Sequence, residues 1–231
     1  MNATELKGEK FVITEGHEGY PKALAVVRDA PKSLYGIGSI DALQTEGVAI
    51  IGARRHTEYG KECAERFAKL LAEKSITLVS GGARGCDTFA LDAYVAEGGK
   101  AVVFLGGGCH RIYPPENTPL FQRVIDNGGA IVSEHEFDQP PIPSWFRARN
   151  RLTAGLSKAV FIIEAGLPSG SFATADDAIA IGKEVWALPG SVTSKSSRGT
   201  NRLIYQGATP IVDDSTFADQ LYALFGKTVI E

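Results

Sequence analysis

Residues 80–87 read Ser-Gly-Gly-Ala-Arg-Gly-Cys-Asp, a combination of residue types that suits anion binding. The glycines let another backbone or a phosphate come close, and a turn from strand to helix exposes backbone N–H groups. Arg84 adds a fixed positive charge. The spacing matches neither the dinucleotide fingerprint nor the P-loop. The segment therefore predicts either an ordinary strand-to-helix turn, with Asp87 capping the helix, or an anion site.

Residues 145–151, Trp-Phe-Arg-Ala-Arg-Asn-Arg, combine three arginines with two aromatic rings. Guanidinium groups bind phosphates, and rings stack on unpaired bases. Alternate spacing on a helix spreads the arginines around its axis. We therefore expect one or two of them to face a ligand, while another pairs with a buried carboxylate such as Glu164. The alternative is a solvated basic helix face with Trp145 and Phe146 in the core.

Two further loops carry polar groups that could hold an anion. Residues 167–171, Leu-Pro-Ser-Gly-Ser, offer hydroxyl and N–H groups at the start of a helix, or form a simple turn with Ser171 as the N-cap. Residues 194–201 are polar and basic and include Lys195. They predict a mobile loop that closes over a bound chain.

The residues needed for catalysis are sparse. The four histidines, His17, His56, His110 and His135, lack metal-ligand spacing, and the sequence has no GxSxG elbow. Asp87 and Glu164 could form a carboxylate pair, although helix capping and ion pairing are the more common uses of such residues. The sequence favours binding over catalysis and predicts no cofactor and no metal.

The elements that position these loops alternate between strand and helix. Apolar runs predict strands at 48–51, 76–79, 101–105, 130–133, 159–163 and 185–188, with helices at 59–74, 88–94, 120–125, 145–156 and 173–181 between them. Strands that are apolar throughout indicate a doubly wound parallel sheet covered by helices on both faces. Ligands bind at the carboxyl edge of such sheets, where these loops converge.

The flanking segments complete the predicted organisation. We expect residues 1–45 to be a short helical or irregular extension, with a possible helix from Tyr20 to Val27, and residues 46–231 to form one core domain. Residues 215–225 predict a last amphipathic helix, whose apolar stripe covers either this sheet or a partner's equivalent helix.

Composition and charge limit the classes of function. The 231 residues have a net charge of −3, which argues against a basic protein that coats nucleic acid. Residues 144–206, however, hold 8 Lys and Arg against 4 Asp and Glu, as a confined polyanion site requires. There is no apolar run long enough for a membrane span and no apolar signal core. Three dispersed cysteines indicate a reducing cytoplasm and no zinc site.

Taken together, the motifs resemble the core domain of the DNA-processing protein A (DprA/Smf) family from about Tyr20 to Asp213. The matching pieces are GARRHTEYG at 52–60, SGGARGCD at 80–87, LGGGCHRIYPPEN at 105–117, SEHEF at 133–137, FRARNR at 146–151, EAGLPSGS at 164–171, ALPG at 187–190 and GTNRLIYQGA at 199–208. Arg147 stands where the family usually has proline, and Cys86 where isoleucine is common.

The resemblance implies an extended Rossmann-like sheet, single-stranded DNA binding, loading of RecA recombinase and pairing into a homodimer. It also implies which residues bind DNA. With the basic Lys195 of the polar loop, the predicted site comprises Arg54, Ser80, Gly81, Gly82, Arg84, Gly85, Phe146, Arg149, Asn150, Ser169, Gly170, Ser171 and Lys195. The sequence ends near the core, without the winged-helix-like domain that many members carry.

Two other functions stay open on the same fold. Related domains resemble nucleotide phosphoribohydrolases, but their PGGxGTxxE signature is absent, and GLPSGSF at 166–172 is the nearest stretch. A nucleotide sensor without turnover is the other alternative.

Overall fold

The computed structural model describes residues 5–226. The strands are β1 Lys10–Thr14, β2 Ser33–Gly38, β3 Gly47–Ile51, β4 Leu78–Ser80, β5 Ala101–Phe104, β6 Ala130–Ser133, β7 Ser157–Ile162, β8 Glu184–Ala187 and β9 Thr209–Pro210. The helices are α1 Glu58–Glu73, α2 Cys86–Ala96, α3 Thr118–Asp126, α4 Pro143–Gly155, α5 Ser171–Ala180, α6 Arg198–Tyr205 and α7 Asp214–Phe225.

All nine strands of the described chain form one sheet, in the order β1-β2-β6-β5-β4-β3-β7-β8-β9. Strands β3 to β9 pair in parallel, and only β1 and β2 run antiparallel to their neighbours. Strand β3 lies between β4 and β7, so the chain leaves it in one direction and later returns on its other side. This confirms the predicted doubly wound, mostly parallel Rossmann-like sheet.

Burial on both faces explains why the strands are apolar throughout. Along β3, Val48 and Ile50 pack into one core cluster, whereas Ala49 and Ile51 pack into the other. Successive side chains of a strand point to opposite faces, so each position needs an apolar residue when both faces are covered. The first cluster includes residues of α1, α2, α3 and α7, and the second includes residues of α4 and α5.

The amino-terminal segment differs from the expected helical or irregular lead-in. It supplies β1 and β2, and β2 pairs with β6 through registers such as Gly36–Val132. The helix expected from Tyr20 to Val27 is only a 3-10 turn at Lys22–Leu24. Pairing with a preformed sheet edge is a tertiary effect that local patterns do not report. The boundary drawn at residue 45 stays a prediction, and residues 1–4 and 227–231 lie outside the described part.

The polar segment 194–201 also differs from the mobile loop predicted for it. Lys195–Ser197 is a 3-10 turn, and α6 begins directly after it. The backbone N–H of Gly199 donates to the carbonyl of Ala165 at 2.7 Å, and Thr200 and Leu203 are buried. The helix forms because its narrow apolar face packs on the sheet, while its charged residues lie on the outer face.

The last helix covers this chain's own core. Phe217 and Leu221 are buried, and the Phe217 ring contacts the rings of Phe67, Phe161 and Trp186 at centroid distances of 5.0 to 5.9 Å. The buried part of its apolar stripe, Phe217 and Leu221, therefore packs on this chain's own core. No helix within residues 5–226 is long and apolar enough to cross a membrane.

Candidate functional site

A cleft of about 590 Å³ opens at the carboxyl ends of β3 and β4, between the loops that follow these strands and helices α4 and α5. The carboxyl edge of the sheet was the place predicted for a ligand. Eight of the predicted site residues line this cleft together: Arg54, Gly81, Phe146, Arg149, Asn150, Ser169, Gly170 and Ser171.

Arg149 lies at the floor of the cleft and is only 6% exposed. Its Nη1 donates to the carbonyl of Phe104 at 3.0 Å, while its Nε is buried without a hydrogen-bond partner. Burial lowers the pKa of Arg149 to about 10, so the guanidinium remains charged at neutral pH. A Cβ on Gly81 would lie 2.0 Å from Nη1, so only glycine at position 81 leaves room for this side chain.

Asp87 holds the two loops of the floor together. Its carboxylate is 4% exposed and accepts the backbone N–H groups of Gly52 at 3.2 Å and Ala83 at 3.4 Å. Burial raises the pKa of Asp87, and the nearby Arg149 charge and these N–H groups oppose that shift. Asp87 is not the predicted helix cap, because α2 begins at Cys86 and Gly85 occupies the cap position.

Part of the glycine-rich loop is bonded internally, because the N–H groups of Gly82 and Ala83 donate to the side chains of Ser80 and Asp87. The Ser80 hydroxyl accepts the N–H of Gly82 at 3.1 Å. Gly82 and Gly85 have positive φ angles of 60° and 84° and pack against Phe121 and the Ala53 carbonyl, respectively. Ser80, Gly82 and Gly85 shape the loop from behind and do not line the cleft. Their predicted contact with DNA stays a prediction.

The arginines of α4 have separate environments. Arg151 forms a bidentate pair with Glu134, with Nη–Oε distances of 2.8 and 2.6 Å. The expected arginine pairing with Glu164 is wrong, because Glu164 accepts both the N–H and the hydroxyl of Thr57, at 2.8 and 2.6 Å, and so anchors the start of α1. Arg147 is exposed and lines the cleft.

The rim carries the accessible charges. Arg54 is exposed at the mouth of the cleft. Arg84 lines a small pocket beside it, but its guanidinium is held by both carboxylate oxygens of Glu116, at 2.5 and 3.0 Å, and by the Tyr113 hydroxyl at 2.9 Å. Tyr113 also packs edge-on against Phe146, with ring centroids 5.2 Å apart. Sequence spacing gave no signal for this arrangement, because Arg84 and Glu116 are 32 residues apart.

The amino-terminal end of α5 forms the opposite wall. Gly170 takes the cap position without a side-chain cap, so Ser171 is the first helical residue and not the N-cap considered from sequence. The Ser171 N–H donates to the Ser169 hydroxyl at 3.2 Å. Lys195 is exposed beyond this wall and does not line the cleft. Within residues 5–226 no group of three or more His, Cys, Asp or Glu could hold a metal ion.

Comparison with models of protein families shows which family the chain belongs to. The model for DNA recombination-mediator protein A matches residues 11–222. The chain belongs to this family, DprA/Smf. It is 37% identical over 210 residues to Protein Smf of Escherichia coli, an alignment that covers 91% of this chain and 56% of that protein. The chain spans about half the length of the first curated relatives it matches.

Solved DprA structures share the fold. DprA from Streptococcus pneumoniae superposes with a TM-score of 0.85 at 33% identity, covering 91% of this chain and 74% of that one. DNA processing protein A from Helicobacter pylori, whose structure concerns its single-stranded DNA binding mode, gives 0.84 at 34% identity and covers 96% and 99%. Molybdenum cofactor carrier proteins of Chlamydomonas reinhardtii share only the fold, at 18% identity and a TM-score of 0.54.

Proposed function

We propose that this DprA/Smf chain binds single-stranded DNA in the cleft, using phosphates and unpaired bases. The observation that carries the proposal is the buried Nε of Arg149, which has no partner at the cleft floor. A buried guanidinium that is not fully paired is costly, so the negative charge of a phosphate in the cleft would stabilise it. The cleft volume of about 590 Å³ suits individual nucleotides. The H. pylori relative supports the choice of ligand.

Different residues around the cleft floor would bind the base and the phosphate of a nucleotide. Phe146 offers a ring for stacking, and the exposed Arg54 offers a guanidinium for a phosphate. The Ser169 and Ser171 side chains, which line the cleft at the amino-terminal end of α5, add a second place for negative charge. Base stacking and backbone charge are common to all sequences, so we expect this cleft itself to bind with little sequence dependence.

Binding without turnover is the function we propose, in preference to a phosphoribohydrolase. The two carboxylates considered for acid–base chemistry, Asp87 and Glu164, are 4% and 1% exposed and already accept hydrogen bonds from Gly52, Ala83 and Thr57. Incubation with nucleoside monophosphates should therefore release no free base. Base release that disappears on substitution of Glu164 would support the enzyme instead.

Loading of RecA and pairing into a homodimer are further proposals that follow from the family. Phe217 and Leu221 of the α7 stripe are buried in this chain's own core, so they are not available for a dimer contact. Exposed apolar residues flank the edge strand β9: Tyr205 is 82% and Val212 63% exposed. Light scattering would give a mass near twice 24.6 kDa for a dimer. RecA loading would appear as faster RecA ATP hydrolysis on strands precoated with a single-strand-binding protein.

Fluorescence anisotropy with labelled oligo-dT of increasing length tests the central proposal. We expect binding that exceeds that of a duplex of the same length. The logarithm of affinity should fall with the logarithm of salt, with a slope of about −0.7 per phosphate neutralised. Equal affinity for duplex and single strand at moderate salt would contradict the proposal.

A further inference from the structure

A second cavity, of about 600 Å³, lies on the other side of helix α4 from the cleft. It is bounded by α4, α5, the segment after β6 and the turn at Arg28 and Asp29. Arg147, Ala173 and Asp176 line both spaces, so the two cavities adjoin across these residues. A single DNA strand that leaves the cleft over Arg147 would enter the second cavity directly.

One wall of this cavity is an aromatic pair. The rings of Trp145 and His135 stack with centroids 3.6 Å apart and an interplanar angle of 17°. His135 Nε2 is buried without a hydrogen-bond partner, and burial lowers the pKa of His135, so the ring is neutral at pH 7. His135 thus supports one face of the indole, while Trp145 remains partly exposed and lines the cavity. Such a supported ring is a stacking surface for a base.

The charges of the cavity favour the edge of a base over a phosphate. Arg151 is fully engaged by Glu134 and by the carbonyls of Arg28 and Asp29, at 2.9 and 2.8 Å. Arg28 pairs with Asp29 at 3.6 Å, and Arg147 lies on the wall shared with the cleft. The remaining charges, on the α5 side, are the carboxylates of Asp176 and Asp177, the first exposed and the second half-buried. Carboxylates repel phosphate but accept hydrogen bonds from exocyclic amino groups, as they do from cytosine N4.

We propose that this cavity is a second base subsite, which holds an unpaired base with an exocyclic amino group, and so not thymine, stacked on Trp145. The amino group donates to Asp176 or Asp177, and the linking phosphate passes Arg147. The proposal rests on single-stranded DNA binding in the first cleft. It assigns Trp145 and Asp177 to the recognition of a neighbouring nucleotide.

Intrinsic fluorescence provides a direct test, because the chain has two tryptophans and Trp186 is 0% exposed in the core. Stacking of a base on Trp145 should quench the emission. We expect oligo-dC of about ten nucleotides to quench, a dinucleotide that fills only the first cleft to leave the emission unchanged, and Trp145→Phe to abolish the signal. Anisotropy of the same labelled oligonucleotides is recorded in parallel.

Variants of the subsite give the second readout. Trp145→Ala should lose about fivefold or more in affinity for the longer oligo-dC, within the ~1–3 kcal/mol per stacked base, whereas Trp145→Phe should retain most of it. Asp177→Asn should reduce the ratio of oligo-dC affinity to oligo-dT affinity. Melting curves of each variant confirm that it is folded.

The outcomes separate the two proposals. Absence of any anisotropy change overturns single-stranded DNA binding, and this subsite with it. Tight binding with unchanged fluorescence, and equal affinities of wild type and Trp145→Ala at every length, overturns the subsite alone. A fluorescence change with equal affinity for oligo-dC and oligo-dT in wild type overturns the amino-group preference.

Discussion

The floor and the rim of the cleft use the same residue types for different purposes. At the floor, Arg149 and Asp87 are nearly inaccessible and bonded to backbone groups of the loops around them. At the rim, Arg54 and Arg147 are exposed. The charges at the floor therefore serve both the fold and a ligand, since Arg149 also lines the cleft, whereas those at the rim are available to a ligand alone. Substitutions at the floor should lower stability and affinity together, and substitutions at the rim should lower affinity alone.

The largest effect is expected from Arg149→Ala. Removal of the guanidinium leaves the Asp87 carboxylate buried beside no positive charge and removes the donor to the Phe104 carbonyl. We expect a loss of about 3 kcal/mol in the free energy of unfolding, at the low end for breaking a buried charge pair. Urea denaturation measures it, and DNA binding should fall as well.

The control is the double variant that combines Arg149→Ala with Asp87→Asn. Because the double variant no longer buries a lone carboxylate, it should regain part of the lost stability but none of the lost affinity. A single variant as stable as wild type would show that the floor does not depend on Arg149.

Arg54→Ala should show the opposite pattern. The exposed guanidinium takes no part in the floor, so the unfolding free energy should change by less than about 0.5 kcal/mol. Loss of a charge-assisted contact to phosphate should weaken oligo-dT binding about 10- to 100-fold, corresponding to ~1.5–3 kcal/mol. Arg55→Ala, the exposed neighbour, is the matched control and should bind nearly as wild type. A destabilised Arg54→Ala that binds normally would reverse the assignment.

Glu116→Gln tests the charges at the rim and should increase the affinity for single-stranded DNA. Arg84 lies at the rim, but Glu116 occupies its guanidinium and lowers the local positive charge. With the carboxylate removed, Arg84 becomes available to a phosphate, and we expect about a two- to fivefold gain in affinity at low salt, in the range of a single surface charge. Titrations at two salt concentrations measure it, and the gain should shrink at the higher one. Weaker binding would mean that Glu116 positions Arg84 for the ligand.

The smallest effect concerns the pH dependence of stability. Burial lowers the pKa of His135 in the folded state, so protonation favours the unfolded chain. Its contribution is present above the unfolded pKa of about 6.5 and is lost as the pH falls below that value. His135→Phe keeps a ring against Trp145 and cannot titrate. The melting temperature of wild type should thus fall more than that of the variant between pH 7.5 and 5.5, and parallel curves would contradict this.

The sequence predicted strands β3 to β8, because each is a short apolar run between turn residues, but it missed the two-residue strand β9. It also predicted the edge at which the loops converge. It did not predict β1 and β2, whose pairing with β6 depends on the existing sheet, or α6, which lies in a polar stretch. In the site, the sequence identified Arg149 and Phe146, but not which arginine is buried. That choice depends on Gly81, 68 positions away, where a missing Cβ leaves room for the guanidinium.

The segment between β3 and α1 is fixed at both ends by buried carboxylates. Asp87 holds the N–H of Gly52, and Glu164 holds the N–H and hydroxyl of Thr57. The residues between these two anchors include Arg54, Arg55 and His56, which are exposed. Such a segment can be exchanged as a unit. Substitution, insertion or grafting at 54–56 changes the side chains at the mouth of the cleft, while the hydrogen bonds at both anchor points stay in place. It is the natural position for a loop library that retunes ligand preference without a new scaffold.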